Sequence, residues 1–368
     1  MRSATDRAAA RIVVADDSGF MRRLLAGALK SAGFDVVGEA RDGDETLALC
    51  ERVKPDAITL DLHMPGTDGL AVLRRLRGTP PAVVVSAFSP SHGARAVDAL
   101  SEGAFDLVAK PGIGDPFDAF ATDLAAKLDA AARAGARARN GNGHGRLAAA
   151  TLAAPPRPAA APTAGLPARP VAARPARAVR ADAKLLVIAT STGGPKALGD
   201  LVPGLPAPCG AGALIVQHMP PGFTGLLAQR LDKTSPLSVS EAAGGELLEP
   251  GRAFVAPGGR HLHLGDDHRL RLGDDTKIGG VCPRADLTIS DAARVYGKRV
   301  VLAVLTGMGR DGLAGAEDVR RAGGRVIVED ASSCTVYGMP RAVEEAGLAH
   351  SVVPLPEMAA ELALELSR

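Results

Sequence analysis

Residues 12–38 read I-V-V-A-D-D-S-G-F-M-R-R-L-L-A-G-A-L-K-S-A-G-F-D-V-V-G. Two short runs rich in β-branched residues, Ile12–Ala15 and Asp35–Gly38, enclose a stretch over Gly19–Ala32 that has a helical pattern. A strand, a helix and a second strand in this order predict a parallel β-α-β unit.

The same alternation continues to about residue 130. Five strands alternating with five helices predict a parallel sheet that is covered on both faces. We therefore expect an α/β fold over residues 11–130, namely a flavodoxin-like (βα)5 domain. The further strand runs are Ala57–Leu60, Ala82–Val85 and Asp106–Ala109, and the further helical stretches are Gly43–Val53, Asp68–Arg77, Ser91–Ser101 and Asp115–Ala136.

Residues 131–183 differ in composition from the rest of the chain. Between Ala130 and Ala181 there are nine arginines and no Asp, Glu or Lys. From about Asn140 to Ala183 no periodic pattern of large apolar residues is present, so this stretch cannot bury a core that offsets the entropy of ordering it. We interpret residues 131–183 as a linker. A basic arm that touches an acidic surface is the alternative.

The strand and helix alternation resumes in residues 184–368. This pattern predicts a second, larger doubly wound α/β domain with a mainly parallel sheet. Between Ser238 and Leu272 the pattern changes to short strands with Gly and Pro turns, which predicts an antiparallel excursion. The strand runs expected in the main sheet are Leu185–Thr190, Ala213–Gln217, Val300–Leu305 and Arg325–Val328.

Composition excludes several classes of protein. Of the 368 residues, 46% are hydrophobic, 23% are charged and only 3% are aromatic, with no Trp, so a base-stacking surface is not expected. The net charge of +2 reflects the arginines of the linker and is no argument for a nucleic-acid partner. No apolar run approaches the roughly 18 to 20 residues that span a bilayer, and we expect no membrane insertion.

Two further features of the sequence indicate where in the cell the protein is expected. Residues 1–11 contain no apolar segment of the kind found in secretory signals. The four cysteines are scattered and form no C-x-x-C pair, which argues against a disulfide scaffold and favours a reducing cytoplasm.

Charged and polar side chains end the strands of the first domain. Asp16 and Asp17 follow strand one, Asp61 follows strand three, Ser86 follows strand four and Lys110 follows strand five. The carboxyl ends of parallel strands meet at one edge, so the three carboxylates are predicted to hold Mg²⁺. Asp61 would attack a phosphoryl group, with Lys110 and Ser86 contacting its oxygens. Helix capping is the alternative role for each residue taken singly.

Three candidate catalytic residues follow separate strands of the second domain. Ser191 begins S-T-G-G-P, His218 precedes M-P-P, and Asp311 lies in T-G-M-G-R-D-G. A nucleophile, a base and a carboxylate at one sheet edge predict a catalytic triad that needs no cofactor. Taken alone, Ser191 also fits a helix cap or a phosphate contact. The order Ser…His…Asp and the lack of a G-x-S-x-G elbow separate this scaffold from the α/β-hydrolases.

Residues 11–130 resemble a two-component receiver domain. The motifs that carry the resemblance are the D-D pair after strand one, D-x-x-M-P-x-x-D-G over residues 61–69, and K-P at residues 110–111. The resemblance implies phosphorylation of Asp61 by a chemotaxis histidine kinase, with Mg²⁺ held by Asp16, Asp17 and Asp61. Phe105 stands where receivers commonly have an aromatic switch residue.

Residues 184–368 resemble the catalytic domain of chemotaxis protein-glutamate methylesterases. The resemblance implies Ser191 as nucleophile, His218 as general base and Asp311 as the orienting carboxylate. The Met308 N–H group would stabilise the oxyanion, and Thr192 would support the site. Thr190 stands where the family usually has Ala. The matching motifs are S-T-G-G-P, Q-H-M-P, A-P-G-G-R-H-L, L-T-G-M-G-R-D-G and Y-G-M-P-R-A.

The family resemblance also implies a substrate and a mode of regulation. The substrate would be glutamate γ-methyl ester on the cytoplasmic helices of methyl-accepting chemoreceptors, with methanol as a product and with glutamine deamidation as a second activity. Phosphorylation of the receiver would uncover the triad.

Two rival classes stay open from the residues alone. They are a response regulator whose second domain only binds a partner, and a serine esterase or amidase that acts on an unrelated small molecule. Arg284 and Arg341 fit a contact with an acidic substrate and fit solvated surface positions equally well.

Overall fold

Short strands and amphipathic helices alternate along the first domain as predicted. The computed structural model describes residues 9–87, 90–112, 116–139 and 182–368. Most of the predicted linker, residues 140–181, lies outside the described residues. The strands of the first domain are β1 (Arg11–Ala15), β2 (Asp35–Ala40), β3 (Ala57–Leu60), β4 (Ala82–Ser86) and β5 (Asp106–Ala109). Its helices are α1 (Gly19–Ser31), α2 (Gly43–Val53), α3 (Gly69–Leu76), α4 (Pro90–Ser101) and α5 (Phe117–Arg139).

The five strands form one sheet in the order β2-β1-β3-β4-β5, and every pair in it is parallel. This order is that of the flavodoxin-like fold, so the predicted fold class of the first domain is confirmed. The strand order reverses beside β1, and a crevice opens there at the carboxyl ends of β1 and β3.

Helix α5 is longer than the helical pattern predicts. It continues past Ala136 to Arg139 and includes the first residues of the stretch interpreted as a linker. The three added residues are Arg137, Ala138 and Arg139, less than one further turn, and Ala and Arg are strong helix formers. Arg139 forms an ion pair with Asp56, which directly precedes β3. Propensity and packing therefore carry the helix beyond the predicted boundary.

The second domain is built on a larger sheet. Its strands are β6 (Leu185–Thr190), β7 (Ala213–Gln217), β8 (Ser238–Glu241), β9 (Arg252–Val255), β10 (Leu262–Leu264), β11 (Leu270–Leu272), β12 (Val300–Val304), β13 (Arg325–Glu329) and β14 (Ser351–Val353). Its helices are α6 (Gly194–Leu201), α7 (Phe223–Thr234), α8 (Ala285–Tyr296), α9 (Leu313–Arg321), α10 (Met339–Glu345) and α11 (Leu355–Ser367).

Seven of these strands form a parallel sheet in the order β14-β13-β12-β6-β7-β9-β8. The prediction of a doubly wound α/β domain is thus confirmed. The chain leaves β6 in one direction through β7 and later returns to its other side at β12. The strand order therefore reverses at β6, where a binding crevice is expected.

The predicted antiparallel excursion is only partly correct. Strands β10 and β11 do form an antiparallel pair, but β8 and β9 join the main sheet in parallel. Between Ala242 and Gly251 the chain has enough residues to return to the start of the sheet, so β9 can run alongside β8 in the same direction. Short strands with Gly turns therefore did not reveal the strand direction.

The two domains pack against each other through α4. Helix α4 contacts α6 and α7, and Asp98 on α4 forms an ion pair with Arg230 on α7. One hydrophobic cluster runs through this contact and includes Val97 and Leu100 from the first domain and Leu198 from the second. Within the described residues, none of the helices combines the length and apolar character needed to cross a bilayer.

Candidate phosphoacceptor and active sites

Three carboxylates converge at the crevice of the first domain. Asp16 follows β1 and Asp61 follows β3, and both are buried, whereas Asp17 is exposed. Carboxylate oxygens of the three residues lie within 4.8 Å of one another. The Lys110 Nζ atom lies 2.5 Å from Asp61 Oδ2 and 2.7 Å from Asp16 Oδ2. The structure thus brings together four of the residues predicted for this site.

Electrostatics at this crevice favour a further cation. Burial raises the pKa of Asp16, although the ion pair with Lys110 opposes the shift. Burial disfavours the charged form of Lys110, but its ion pairs with Asp16 and Asp61 outweigh this and raise its pKa. One ammonium does not neutralise three carboxylates. Hard oxygen ligands in this number fit Mg²⁺, which binds a few carboxylates together with water and phosphate oxygens.

Helix capping does not account for this cluster. The caps of α1 and α3 are Ser18 and Asp68, whose side chains accept hydrogen bonds from the first turns of those helices. Asp16 and Asp61 instead accept from the N–H groups two residues further along, at 2.9 and 3.0 Å, and keep their second oxygens toward Lys110.

Ser86 lies at the same edge of the first sheet. It is the last residue of β4, not the residue after it, and is paired in register with Ala109, which precedes Lys110. Its side chain is buried, and its hydroxyl donates a long, 3.3 Å hydrogen bond to the Ala87 carbonyl. Phe105, just before β5, is buried in the core beneath this sheet.

The proposed nucleophile is held on a sharp turn between β6 and α6. Ser191 follows β6, and Gly193, at φ +80°, begins the helix in a left-handed conformation that favours glycine. Pro195 occupies the first turn of α6, where its missing N–H group is not needed. The Ser191 N–H group donates to the Thr306 carbonyl at 3.0 Å, which ties the turn to the end of the neighbouring strand β12.

His218 and Asp311 are in direct contact. The His218 Nε2 atom lies 2.7 Å from Asp311 Oδ2. Asp311 also accepts from the N–H groups of Ala285 at 2.7 Å and Asp286 at 3.0 Å, at the start of α8. Burial opposes ionisation of Asp311, but the contact with His218 and these two amides outweigh it and hold its pKa well below the usual range.

This contact determines which imidazole nitrogen can act as a base. Because Nε2 faces Asp311, Nδ1 is the nitrogen that is not engaged by this carboxylate. Among the residues that the structure describes, the Ser191 hydroxyl forms no hydrogen bond with His218. Nucleophile–base bonds are often long before substrate binds, so this geometry is compatible with the predicted pairing.

The loop after β12 closes the other side of Ser191. A Cβ on Gly307 would lie 2.8 Å from Ser191 Cβ and 2.4 Å from the Met339 sulfur, so only glycine fits there. The N–H groups of Met308 and Thr192 donate to no acceptor within the described part of the chain. They are therefore available to an oxyanion on a substrate bound at Ser191.

Residues 186–362 match the CheB methylesterase family, and residues 12–116 match the response regulator receiver domain family. This chain belongs to the CheB methylesterase family. A protein-glutamate methylesterase/protein-glutamine glutaminase of Symbiobacterium thermophilum is 42% identical over 356 residues, covering 95% of each chain. One of Myxococcus xanthus, numbered 5, is 43% identical over 359 residues, covering 96% of this chain and 97% of its own.

Two solved structures from Thermotoga maritima are also similar. Its CheB methylesterase catalytic domain is 44% identical, with a TM-score of 0.48, over 50% of this chain and 98% of that chain. Its CheB response regulator domain is 33% identical, with a TM-score of 0.30, over 34% of this chain and 97% of that chain. Family membership makes the chain a response-regulator hydrolase, as predicted.

In this CheB methylesterase family member, two buried polar residues support the site without having been singled out from the sequence. The Gln217 side-chain amide donates to the carbonyls of Ser191 at 2.9 Å and His218 at 3.0 Å, which joins the two loops. Glu329 accepts from the Thr306 N–H group at 2.8 Å. Each is a polar residue that ends an apolar strand, and that signal was available in the sequence.

The receiver lies over the loops around Ser191. The Thr192 hydroxyl, predicted to support the oxyanion site, donates to Asp106 Oδ2 at the start of β5. Val336, whose carbonyl accepts from Gly307 N–H, packs against the receiver's core cluster. Polar and apolar contacts from the receiver therefore reach both segments that flank the candidate nucleophile.

Proposed function

We propose that the chain hydrolyses glutamate γ-methyl esters on the cytoplasmic helices of methyl-accepting chemoreceptors, in chemotactic adaptation. The products are glutamate and methanol, and the same acyl chemistry deamidates glutamine side chains with release of ammonia. The observation that carries the proposal is the 2.7 Å contact of His218 with Asp311 beside the Ser191 turn. The names of the curated relatives support this choice of substrate. A cytoplasmic substrate places the enzyme in the cytoplasm.

Hydrolysis proceeds in two acyl-transfer steps. His218 Nδ1 takes the Ser191 proton as the serine oxygen attacks the ester carbonyl and forms a tetrahedral oxyanion. The C–O bond to the methoxy group then breaks, and the imidazolium returns its proton to the leaving oxygen, which departs as methanol. Water, deprotonated by His218, attacks the acyl-enzyme and releases the glutamate side chain and the serine.

Asp311 and the backbone amides stabilise the charges that develop in these steps. The ionised Asp311 carboxylate accepts from Nε2–H and favours the imidazolium form of His218. The N–H groups of Met308 and Thr192 donate to the oxyanion. A glutamine amide reacts along the same route, but an amide nitrogen leaves less readily than methanol, so the ester is the better substrate.

The receiver is proposed to be phosphorylated on Asp61 by a chemotaxis histidine kinase. An Asp61 oxygen attacks the phosphorus, the bond from phosphorus to the kinase histidine breaks, and the imidazole leaves. Mg²⁺, held by Asp16, Asp17 and Asp61, would neutralise charge on the transferred phosphoryl group. Lys110 and Ser86 lie at the same sheet edge and are placed to contact the phosphoryl oxygens.

Phosphorylation is proposed to activate the hydrolase by loosening the receiver from the active site. Residues 11–130 and 184–368 would move as two units, and the stretch 131–183 would let them part without detaching. The contacts of Asp106 with Thr192 and of α4 with α6 and α7 support a resting state in which the receiver restricts access to Ser191. Phosphorylation would shift the equilibrium toward the open arrangement.

The test uses membranes that carry receptors with radiolabelled methyl esters. The full chain, its Ser191→Ala variant and a chain lacking residues 1–183 are incubated with them, with and without a phosphodonor and Mg²⁺. We expect Ser191-dependent methanol release that rises with the phosphodonor. The truncated chain should exceed the resting full chain.

Other outcomes point to the rival classes. Ser191-dependent hydrolysis of small esters without methanol release from receptors would indicate an esterase that acts on another substrate. A wild-type chain that hydrolyses neither receptor methyl esters nor small esters would indicate a non-catalytic regulator. If the truncated chain releases methanol more slowly than the resting full chain, inhibition by the receiver is ruled out.

A further inference from the structure

Two buried carboxylates lie crosswise at the starts of two adjacent helices. Asp311 precedes α9 and accepts from the first N–H groups of α8, in addition to the Gly312 N–H group at 3.0 Å. Asp286 lies in the first turn of α8 but accepts from Gly312 N–H and Gly315 N–H at the start of α9, both at 2.9 Å. Each carboxylate therefore neutralises the N-terminal end of the other helix. This exchange fixes Asp311 but brings a second negative charge close to it.

Arg284 lies between these carboxylates. Its Nη2 atom is 2.6 Å from Asp286 Oδ2, and its Nε atom is 3.3 Å from Asp311 Oδ1. Its Nη1 atom donates to the Ile278 carbonyl at 3.0 Å. Both Nη atoms thus donate hydrogen bonds within the chain and Nε lies in an ion pair with Asp311, which favours an internal role over a contact with an acidic substrate.

The backbone of Arg284 is held by a buried histidine. The Arg284 N–H group donates to His261 Nδ1 at 3.1 Å, and His261 Nε2 donates to the Thr276 carbonyl at 2.8 Å. Both the backbone and the side chain of Arg284 are therefore fixed at the start of α8.

We propose that Arg284 is a positioning residue for the hydrolysis: it screens Asp286 from Asp311, so that Asp311 stays ionised and directed at His218. This inference rests on the proposed triad mechanism. Among the described residues, the titratable and charged groups that face Asp311 are His218 from the loop after β7, and Arg284 and Asp286 from the start of α8. One guanidinium thus pairs with both carboxylates.

The opposed shifts of the two carboxylates agree with this role. Burial raises the pKa of Asp286, and the charge of Asp311 adds to the shift. The Gly312 N–H group donates to both carboxylates. Without the guanidinium, two carboxylates this close would repel each other, and the favoured response is uptake of a proton. A proton held by Asp311, or by His218 before the serine attacks, removes the charge arrangement that the triad needs.

Arg284→Met is the central test, measured in the full chain with a phosphodonor. A small activated ester such as p-nitrophenyl acetate is the probe, because its Ser191-dependent hydrolysis reports on the triad whatever the natural substrate is. We expect kcat to fall between about tenfold and a hundredfold, the cost of a misplaced catalytic group. The acid limb of the pH–rate profile should move to higher pH, because loss of a nearby cation favours the imidazolium form of His218.

Charge compensation separates screening from a structural role. In the double variant Arg284→Met/Asp286→Asn, one positive and one negative charge leave together, so activity should recover and the acid limb should return toward that of wild type. Arg284→Lys keeps the charge without the planar fork, so its rate should fall while the acid limb stays in place. Arg341→Met is the matched control, because Arg341 is exposed and, in the ranges that the structure describes, pairs only with Glu345 on α10.

Two results would overturn the proposal. One is an Arg284→Met variant, folded by circular dichroism, with an unmoved acid limb. The other is a folded double variant slower than either single variant. If receptors release no methanol but Ser191-dependent hydrolysis of the small ester persists, the proposed substrate is rejected. The role proposed for Arg284 can still be tested with the small ester.

Discussion

The hydroxyl of Thr192, next to the proposed nucleophile, donates a hydrogen bond to the carboxylate of Asp106 in the receiver. Asp106 is the first residue of β5, and Lys110, which contacts Asp61, directly follows the last. The two contacts are separated by the length of one short strand, about 13 Å. A rearrangement at the phosphoacceptor therefore has a short route to the loop that carries Ser191.

Asp106→Ala is expected to raise the activity of the unphosphorylated full chain. A hydrogen bond to a charged group contributes about 1.5 kcal/mol or more, so its loss should shift the docked-to-open ratio about tenfold. The measurement is methanol release from methylated receptors without a phosphodonor. Asp98→Asn is the control, because its ion pair with Arg230 is about half exposed and should contribute less. Equal basal rates in Asp106→Ala and wild type would remove this contact from the inhibitory interface.

Asp61→Asn should abolish phosphorylation of the receiver without unfolding it. An amide cannot attack phosphorus, whereas the side chain keeps its size and its oxygen can still accept from the His63 N–H group. The protein is incubated with acetyl phosphate and Mg²⁺ and weighed intact by mass spectrometry. Asp56→Asn, a surface position paired with Arg139, serves as the control and should be phosphorylated normally. A phosphoryl adduct on Asp61→Asn equal to that on wild type would place the acceptor elsewhere.

The proposed triad should behave as a unit. Ser191→Ala and His218→Ala should each lower turnover by a factor on the order of 10³ or more. The double variant should be only slightly slower than either single variant, because the effects of triad members are strongly non-additive. Asp311→Asn should cost less, since it weakens only the orientation and charge support of the imidazole. Methanol release is measured with circular dichroism as a check of folding.

Thr192→Ala is the matched control for the triad series, and it requires the chain without residues 1–183. In the full chain this change also removes the contact with Asp106, which would mask its effect on chemistry. In the truncated chain it should reduce turnover far less than Ser191→Ala. A folded Ser191→Ala variant with near wild-type release would exclude the serine mechanism.

Gly307→Ala should slow hydrolysis by displacing the turn around Ser191. The added methyl group meets Ser191 Cβ and the Met339 sulfur well inside van der Waals contact, and overpacking of this kind costs about 1 to 3 kcal/mol. We expect turnover to fall about tenfold or more. Gly199→Ala on α6 meets nothing within 4 Å and should leave activity unchanged. Equal turnover in the two variants would show that the approach of this loop to Ser191 is not required.

Glu329→Gln should change how stability depends on pH. Burial raises the pKa of Glu329 above its ordinary value of 4.5, so the folded chain binds this proton more tightly than the unfolded chain. The stability it contributes is therefore present in acid and is lost as pH rises from about 4.5 through the folded pKa. Calorimetric melts of wild type and variant at several pH values should show wild type losing stability relative to Glu329→Gln as pH rises. A difference independent of pH would contradict a raised pKa.

Much of each site could be predicted because of a single geometric rule. In a parallel sheet every strand ends at the same edge, so Asp16, Asp61 and Lys110 had to lie near one another once their strands were recognised. The same rule placed Ser191 and His218 at one edge of the second sheet. Helix α5 and strands β8 and β9 were less well predicted, since helix length and strand direction depend on packing partners distant in sequence.

The sequence by itself determined the two α/β domains, the strand ends that carry their polar side chains, and the motifs that led to the CheB methylesterase family. Local periodicity and glycine-containing turns encode these features within a few residues of each other. Only the tertiary structure decided that Thr192 meets Asp106, that Gln217 joins the loops of Ser191 and His218, and that Arg284 lies between Asp286 and Asp311. Those contacts depend on how helices and domains pack. In each of them the direction of a side chain decides its partner, and sequence spacing does not specify that direction.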